Sequence, residues 1–268
     1  MREYLVFQLY GPLVSWGDIA VGEVRPSAPT PAKSAVLGLI AAALGLKRPD
    51  TVESDEERAE WESRHAALVR GYGLAISVQA LGVPLSDYHT AQVPSSGTGR
   101  NRRTFTTRRD ELTWLPRAEL NTILSRREYR QDTFATCALW ARENAPHTLA
   151  ELRDALQEPR FVLYLGRKSC PLALPLKPEL MSAEFFEDVL SGVGLRRVLS
   201  TLWDETTAER LNGKFGQDAP WLLWDSDAET CLTAELTVTR RDEPLSRRRW
   251  QFSVREERRA HGQERGKP

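Results

Sequence analysis

The pattern of apolar and polar positions predicts alternating strands and helices over the first 165 residues. Short runs rich in β-branched and aromatic residues predict four strands, at residues 4–9, 73–81, 132–141 and 160–165. Apolar positions at helical spacing predict a mostly buried helix that begins at Pro31 and ends at Gly45. A charged surface helix is predicted at 50–70, and a short amphipathic helix follows Thr148, a residue type common at N-caps.

The order of these elements predicts an α+β fold. Strand, helix, strand, insertion, strand, helix and strand give the βαββαβ order of a ferredoxin-like sheet, which is also the scaffold of the RNA-recognition fold. We therefore expect residues 1–165 to form one such RNA-binding domain.

The pattern is looser after residue 165. A short helix at 184–190 and strands at 229–239 and 250–254 predict a smaller β-containing C-terminal lobe over 166–255. The last residues, 256–268, are polar enough for a frayed tail without fixed structure.

Periodicity also weakens between residues 85 and 131, where Gly, Ser, Thr and Arg accumulate. A loop of this length inside a compact domain usually has a task or is disordered. Residues 104–107 and 112–115 are predicted to be the arms of a β-hairpin that turns at 109–111.

Charge is unevenly distributed along the chain. Lys plus Arg and Asp plus Glu both total 37, which gives a formal net charge of zero. Residues 50–62 hold seven acids and one arginine, whereas 97–130 hold nine arginines and four acids, and 240–268 hold ten bases and five acids. We expect the basic stretches to meet phosphate and the acidic stretch to face solvent or a basic partner.

Arginines and aromatic residues are interleaved in the insertion. Arginine suits planar, bidentate contacts to phosphate or base edges, and bases stack on aromatic rings, so the pattern is typical of single-strand binding. A solvated loop that only aids solubility is the alternative. The arginines are Arg100, Arg102, Arg103, Arg108, Arg109, Arg126, Arg127 and Arg130, and the aromatics are Phe105, Trp114 and Tyr129.

Two further segments carry positive charge beside the ends of predicted elements. The free N–H groups at the start of the first helix lie beside Lys33 and Ser34 and suit an anion such as phosphate. An ordinary buried helix with one solvated lysine explains the same residues. A second basic turn, GRKSCP, places Arg167, Lys168 and Ser169 directly after the fourth predicted strand.

Groups suited to catalysis are few. The spacing of the four histidines is not that of a metal site, so we expect neither a metal nor another cofactor. His89 follows Tyr88 at the entrance to the insertion and is a candidate general acid or base for metal-free RNA cleavage. Because the sequence offers no second partner, hydrogen bonding to RNA or anchoring of the loop is the interpretation we favour.

The cysteines and the apolar runs bear on cellular location. Cys137, Cys170 and Cys231 are odd in number and far apart, so we expect reduced thiols in a cytoplasm rather than disulfides. The N-terminal apolar run is too short for a signal peptide, and no stretch approaches membrane-spanning length. We expect a cytoplasmic protein with no membrane partner and no small-molecule ligand.

Segments along nearly the whole chain resemble the CasD (Cas-five-e) family, a subunit of the type I-E CRISPR surveillance complex Cascade. In order, the matching segments are GPLVSWG, Arg25-Pro26 before PAKSAVLGLIAAALG, DYHT, SRREYRQDTFATCALW, YLGRKSCPLALP and TRRDEP. GRKSCPLA, and SWG followed by KS-x-x-LGL, are the most specific of these.

The resemblance implies a non-catalytic RNA-binding subunit with a ferredoxin-like (RAMP) body and a thumb at about 94–124. The body would grip the 5′ handle of the guide RNA (crRNA), and the thumb would wedge beside the first guide nucleotides, near target DNA. The neighbouring backbone subunit and the large subunit are the implied protein partners. Carried over by position, the RNA contacts are Trp16, Arg25, Lys33, Ser34, His89, Arg100, Arg102, Arg103, Arg108, Arg109, Arg126, Arg127, Tyr129, Arg130, Arg167, Lys168 and Ser169.

Some alternatives stay open at this point. A core position for the Trp16 ring is as consistent with the sequence as stacking on a base. The family's Pro-Thr-Lys/Arg-Ser-Gly pattern at the helix start reads PAKSA here, so one hydroxyl is missing, and Thr30 is its nearest substitute. Other functions are a metal-independent endoribonuclease, as in type I-C relatives, using His89, Tyr88 and Lys33, or a protein-interaction module with basic loops.

Overall fold

The fold is organised on one connected β-sheet, in a computed structural model that describes residues 1–94, 105–191, 193–215 and 220–262. The described strands are β1 (Arg2–Val14), β2 (Val24–Arg25), β3 (Tyr72–Ala80), β4 (Val83–Pro94), β5 (Leu120–Ala141), β6 (Glu179–Ala183), β7 (Trp221–Asp225), β8 (Leu236–Ser246) and β9 (Gln251–His261). The described α-helices are α1 (Lys33–Ala43), α2 (Asp55–Gly71), α3 (Arg108–Thr113), α4 (Leu149–Gln157), α5 (Phe186–Ser191), α6 (Leu195–Leu202) and α7 (Glu205–Phe215), with 3₁₀ turns at Pro49–Thr51 and Arg117–Glu119.

β1 and β5 are adjacent central strands of this sheet. They pair antiparallel, with Leu5 opposite Leu139 and Phe7 opposite Cys137. The strand order is β6-β1-β5-β3-β7-β9-β8, and every neighbouring pair along it is antiparallel. β2 and β4 lie outside this path and pair with the N-terminal half of β5. The fold is therefore α+β with a large, mainly antiparallel sheet.

Both faces of the central strands are covered. Side chains alternate along a strand, so in β1 Leu5, Phe7 and Leu9 join one apolar cluster, whereas Tyr4 and Val6 join another. The first cluster includes the buried faces of α1 and α4, and the second includes α5 and β7. Burial on both faces explains why β1 is a continuous apolar run rather than an alternating one.

The ends of the predicted helices agree with the structure in part: α1 begins at Lys33, after its N-cap Ala32, rather than at Pro31, and its C-cap Leu44 directly precedes the predicted end at Gly45. Thr148 caps α4 in a capping box, because its hydroxyl accepts from the backbone N–H of Glu151 at 3.2 Å and the Glu151 carboxylate accepts from Thr148 N at 2.7 Å. The charged helix predicted at 50–70 is α2, which begins later because Ser54 is its N-cap. No helix in the described part of the chain is long and apolar enough to cross a membrane.

The strand predicted at 160–165 is wrong. The backbone N–H groups of Arg160 and Phe161 donate to the carbonyl oxygens of Ala43 and Ala42, at 3.0 and 3.2 Å, so this segment binds the C-terminal end of α1 instead of joining the sheet. Helix ends leave such carbonyls without partners inside the helix, and the apolar segment provides the missing donors. The strand that pairs with the edge of β1 opposite β5 is β6.

The hairpin predicted at 104–115 is also wrong, because α3 occupies most of this range. Thr107 caps α3, and its hydroxyl accepts from the backbone N–H of Asp110 at 3.2 Å. The insertion is nevertheless strand-rich on both sides, since β4 pairs with β5 from Val83 opposite Gln131 to Pro94 opposite Leu120. Residue 104 lies outside the described residues.

The C-terminal strands extend the same sheet. β7 pairs with β3 and β9 with β7, so the strands of the expected C-terminal lobe are continuous with those of the first domain. The strand predicted at 229–239 begins at Leu236 instead. Residues 256–261 belong to β9 rather than to the expected tail, and 263–268 lie outside the described residues. The domain boundary at 165 stays a prediction.

Candidate nucleic-acid interface

A cavity of about 910 Å³ opens along α1, and we call it the α1 cavity. Its other walls are the loop after β1, the segment 161–168 and the turn between β8 and β9. Five predicted RNA contacts line it, namely Trp16, Arg25, Ser34, Arg167 and Lys168. Further cationic and aromatic side chains that the sequence analysis did not single out line it as well: Lys47, Arg48, Phe161, Tyr164, Arg247, Trp250 and Phe252.

A glycine places the basic turn at the wall of this cavity. Gly166 has a φ of +88°, and a Cβ atom there would lie 1.6 Å from the carbonyl oxygen of Ser15. Only glycine tolerates both the positive φ and this approach. The flanking backbone is fixed by hydrogen bonds from Ser15 N to the Leu165 oxygen at 3.1 Å and from Cys170 N to the Arg167 oxygen at 2.8 Å. Arg167 and Lys168 therefore project from a turn that is held against the end of β1.

Arg167 joins three separate segments of the chain. Its guanidinium lies over the Tyr129 ring, 4.7 Å from the centroid, and donates at 3.0 Å to the carbonyl oxygens of Glu128 and Arg25. The structure thus brings together the predicted residues Arg25, Tyr129 and Arg167. Tyr129 is buried beneath the guanidinium, so the expectation that its ring contacts RNA is corrected: the ring supports Arg167.

The arginine pair in β5 is divided between two faces. β2 pairs with β5 so that Val24 lies opposite Arg126 and Arg25 opposite Arg127. Arg126 and Arg127 are both exposed. Consecutive side chains in a β-strand point to opposite faces of the sheet. Arg126 and Arg127 therefore cannot both contact one bound RNA strand from the same face. Arg127 shares its face with Arg25.

Lys33 does not face solvent, which corrects its predicted phosphate contact. The side chain is 2% exposed, and its ammonium binds Asp225 Oδ2 at 2.8 Å and Glu243 Oε1 at 3.1 Å. The expected anion at the start of α1 is present, but the protein itself provides it: Lys33 N donates to Asp242 Oδ2 at 2.9 Å. Asp242 and Glu243 belong to the TRRDEP segment, so that segment completes the helix start.

These charges belong to a buried ionic network that ties β7, β8 and β9 to α1. Arg255 donates to Asp242 Oδ1 at 2.7 Å, to Asp225 Oδ1 at 3.1 Å and to Glu257 Oε2 at 2.6 Å. Burial opposes the charged form of Asp242, but the hydrogen bond and charge of Arg255 outweigh it and hold the pKa of Asp242 below its ordinary value. The acidic and basic side chains of this network pair with one another, so the network offers no site for RNA.

Two more predicted contacts have structural roles. The Arg130 guanidinium donates to the carbonyl oxygens of Leu81 at 2.6 Å and Gly82 at 3.0 Å, which fixes the turn between β3 and β4. Trp16 is 4% exposed and packs in the main apolar cluster, so its ring forms the floor of the cavity rather than a free stacking surface. The expected stacking of Trp16 on a base is corrected because its ring packs within the fold, whereas the RNA contact of Arg130 stays a prediction.

The remaining predicted contacts differ in exposure. Ser34 is half-buried, whereas Lys168 and Ser169 are exposed. The Arg108 guanidinium is held by the Glu111 carboxylate and the carbonyl oxygen of Gln92. Arg109 is exposed on α3. Arg100, Arg102 and Arg103 lie outside the described residues.

His89 lies in β4 and is not part of the α1 cavity. Its Nε2 is 2.5 Å from Asp87 Oδ2, on the same face of the strand. Tyr88 points to the opposite face, because neighbouring positions alternate, and it is exposed. Since Lys33 is buried among carboxylates, the structure does not assemble His89, Tyr88 and Lys33 into one site.

The missed cavity residues come from three segments: the one after α1, the segment 161–168, and the turn between β8 and β9 with the start of β9. Arg48 follows α1, and its guanidinium lies 4.7 Å from the centroid of the Trp250 ring. Arg247 precedes Trp250 in the turn between β8 and β9, and it donates to the carbonyl oxygen of Ser34 at 3.0 Å. The excess of bases in residues 240–268 was the available signal, but no pattern within it showed which arginine would face α1.

Comparisons with known proteins agree over nearly the whole chain. The family model Cas_Cas5d, described as CRISPR-associated protein (Cas_Cas5), matches residues 4–258. The CRISPR system Cascade subunit CasD of Escherichia coli (strain K12) is 34% identical over 178 residues, covering 66% of this chain and 70% of the relative.

Solved structures share the fold. A chain of a CRISPR RNA-guided surveillance complex superposes with a TM-score of 0.57 at 22% identity, covering 97% of this chain and 90% of that chain. The crystal structure of a Cas protein superposes with a TM-score of 0.53 at 21% identity, covering 96% and 94%. The family model over residues 4–258 and the CasD relative confirm the resemblance found in the sequence: the chain belongs to the Cas5 family of CRISPR-associated proteins.

Proposed function

We propose that this chain is a non-catalytic Cascade subunit that binds the 5′ handle of the guide RNA. The observation that carries the proposal is the α1 cavity, where Arg25, Arg167 and Lys168 from distant segments meet aromatic walls. Single-stranded RNA is held by such a combination of cations along the backbone and rings against the bases. The relative named as Cascade subunit CasD and the neighbour named as an RNA-guided surveillance complex support this setting.

The cations of the cavity are suited to phosphates rather than to sequence readout. Arg167 keeps its guanidinium fixed on Tyr129, so little rotamer entropy is lost when it binds a phosphate. Lys168 and Arg25 are exposed beside it and are available to neighbouring phosphates. Affinity therefore comes largely from counterion release and falls steeply with salt.

The finer architecture belongs to the same proposal. β1, α1, β3, β5, α4 and β6 follow the βαββαβ order, and the adjacent strands β6-β1-β5-β3 are in the 4-1-3-2 arrangement expected of a ferredoxin-like core. The proposed thumb, at about 94–124, starts at the last residue of β4 and includes the first residues of β5, which pair with β4. It would contact the neighbouring backbone subunit, the large subunit and target DNA, and the complex would act in the cytoplasm.

Absence of turnover is proposed because the candidate cleavage groups do not converge. His89 pairs with Asp87, Tyr88 points away, and Lys33 is buried. An endoribonuclease is the competing function. Purified protein incubated with repeat RNA in EDTA should leave it intact, whereas cleavage lost in the variant His89→Ala would establish the competing function.

The proposal is tested by recovering the RNA that the protein holds in cells. Tagged protein is purified from cells that express the matching CRISPR array, and the co-purified RNA is sequenced. Short guides with one shared 5′ end are expected. RNA with random ends, or no RNA even at low salt, would contradict handle binding and favour a protein-interaction module.

A further inference from the structure

The turn between β8 and β9 is fixed onto two helices. The backbone N–H groups of Arg247 and Arg248 both donate to Glu62 Oε2 of α2, at 3.1 and 3.0 Å. The Arg247 guanidinium reaches across to α1, where it donates to the carbonyl oxygen of Ser34 at 3.0 Å. The turn is therefore held in place before any ligand binds, and its first arginine points into the α1 cavity.

The Arg247 guanidinium makes no ion pair in the described part of the chain. Among the described residues its guanidinium has the Ser34 carbonyl as a hydrogen-bond acceptor and no carboxylate within ion-pair distance. Burial, with the nearby charge of Arg48, lowers the pKa of Arg247 to about 10 although the Glu62 carboxylate raises it, so the guanidinium stays charged at neutral pH. Arg247 is half-buried, and a partly desolvated guanidinium without an ion pair is stabilised when a ligand provides the anion.

Arg48 and Trp250 complete the surroundings of this charge. The Arg48 guanidinium lies over the Trp250 ring and pairs with Asp50 at 2.5 Å, in a half-exposed ion pair that solvent screens. Trp250 is 50% exposed, so part of its ring is free to contact a ligand. Two guanidinium groups and a partly open indole ring thus line one end of the cavity.

We infer that Arg247 and Arg48 form a phosphate subsite for the bound guide RNA, with the exposed part of the Trp250 ring beside the adjoining nucleotide. This inference rests on the proposed function and gives a role to the C-terminal basic stretch. One RNA phosphate supplies the ion-pair partner that Arg247 lacks. The turn between β8 and β9 is then part of the RNA site and more than a connection between strands.

Matched substitutions on the full-length chain test the subsite. Arg247→Gln and Arg48→Gln each remove one of its charges. Arg249→Gln removes the same charge from the same turn outside the cavity. Arg64→Gln is matched to Arg48, because Arg64 also lies over a tryptophan ring, Trp61, at 4.8 Å and pairs with an acid. Binding of fluorescent 5′-handle RNA is measured by anisotropy at several salt concentrations, and thermal unfolding checks each fold.

Arg247→Gln and Arg48→Gln are each expected to weaken binding about tenfold and to lower the salt slope by about 0.7. The two controls should stay within about threefold of wild type, because exposed charges outside the cavity are screened. Equal affinity and slope for all four variants would overturn the subsite while handle binding stands. Wild-type protein that fails to bind handle RNA would overturn the proposed function itself. If Arg247→Gln fails to fold, Arg48→Gln, on a different segment, decides the result.

Discussion

Arg167 and Tyr129 form a cation–π pair that joins the basic turn to β5, with the guanidinium carbon 4.7 Å from the ring centroid. The same guanidinium binds the backbone of Glu128 and of Arg25, so one side chain connects three segments that lie far apart in sequence. This contact gives the candidate RNA site its shape, because it sets the positions of both Arg25 and Arg167 at the cavity wall.

Arg167→Gln is therefore expected to affect both binding and folding. It removes a proposed phosphate ligand, which should weaken handle-RNA binding about tenfold. It also removes the cation–π contact and two backbone hydrogen bonds, which lowers the free energy of unfolding by about 1–2 kcal/mol. Arg153→Gln on α4, outside the cavity, is the control for loss of one arginine. RNA affinity unchanged by Arg167→Gln would remove this residue from the site.

Gly166→Ala tests how the turn is positioned. The new Cβ would clash with the carbonyl oxygen of Ser15 and strain a positive φ, so we expect a loss of about 1–3 kcal/mol in unfolding free energy and weaker RNA binding. Gly213→Ala in α7 is the matched change, because a Cβ atom added at that glycine would have nothing within 4 Å. That control should gain up to about 1 kcal/mol. Denaturant titration of both variants gives the comparison.

The outcomes at Gly166 and at Lys33 show what the sequence reveals and what it does not. The turn GRKSCP carries local signals, a glycine and adjacent cations, so its role at a basic surface was predictable. Lys33 carries the local signals of an anion site as well, but the groups that bind it, Asp225 and Glu243, are more than 190 residues away in sequence. Asp225 and Glu243 lie beside Lys33 only because β7 and β8 join the sheet, and no local pattern encodes this.

The same difference between local signals and long-range contacts explains which parts of the fold were predicted. β1, α1 and the capping box of α4 follow from local patterns. The segment 160–165 has the composition of a strand, but tertiary contacts assign it to the end of α1. Arg247 was missed, and Lys33 was assigned the wrong role, for the same reason: the position of Arg247 beside α1 depends on long-range hydrogen bonds to Glu62 and Ser34.

Lys33→Met is expected to destabilise the protein without a direct effect on RNA contacts. It leaves the carboxylates of Asp225 and Glu243 without their ammonium partner, which costs about 3–5 kcal/mol for a buried pair. Lys177→Met, at an exposed position, should change stability by no more than about 0.5 kcal/mol. Chemical denaturation measures both. If Lys33→Met kept full stability but lost RNA binding, the ammonium would have to face RNA and the observed network would be wrong.

Stability should fall in acid because of Asp242. The pKa of this carboxyl is lowered in the folded state, with Arg255 outweighing the effect of burial. Its contribution is therefore present above the unfolded pKa, near 4, and is lost as pH falls below that value. Asp242→Asn should show a smaller difference in unfolding free energy between pH 7 and pH 3 than wild type. Asp154→Asn, at an exposed position on α4, is the control; an equal effect of both substitutions would contradict the role of Asp242.

The most direct test of the central claim is to locate bound RNA on the protein. Handle RNA carrying 4-thiouridine is cross-linked to the full-length chain, and the modified peptides are identified by mass spectrometry. We expect adducts in the segments that line the α1 cavity, at residues 15–26, 161–168 and 247–252. Cross-links confined to α6 and α7, with none in these three segments, would contradict the account.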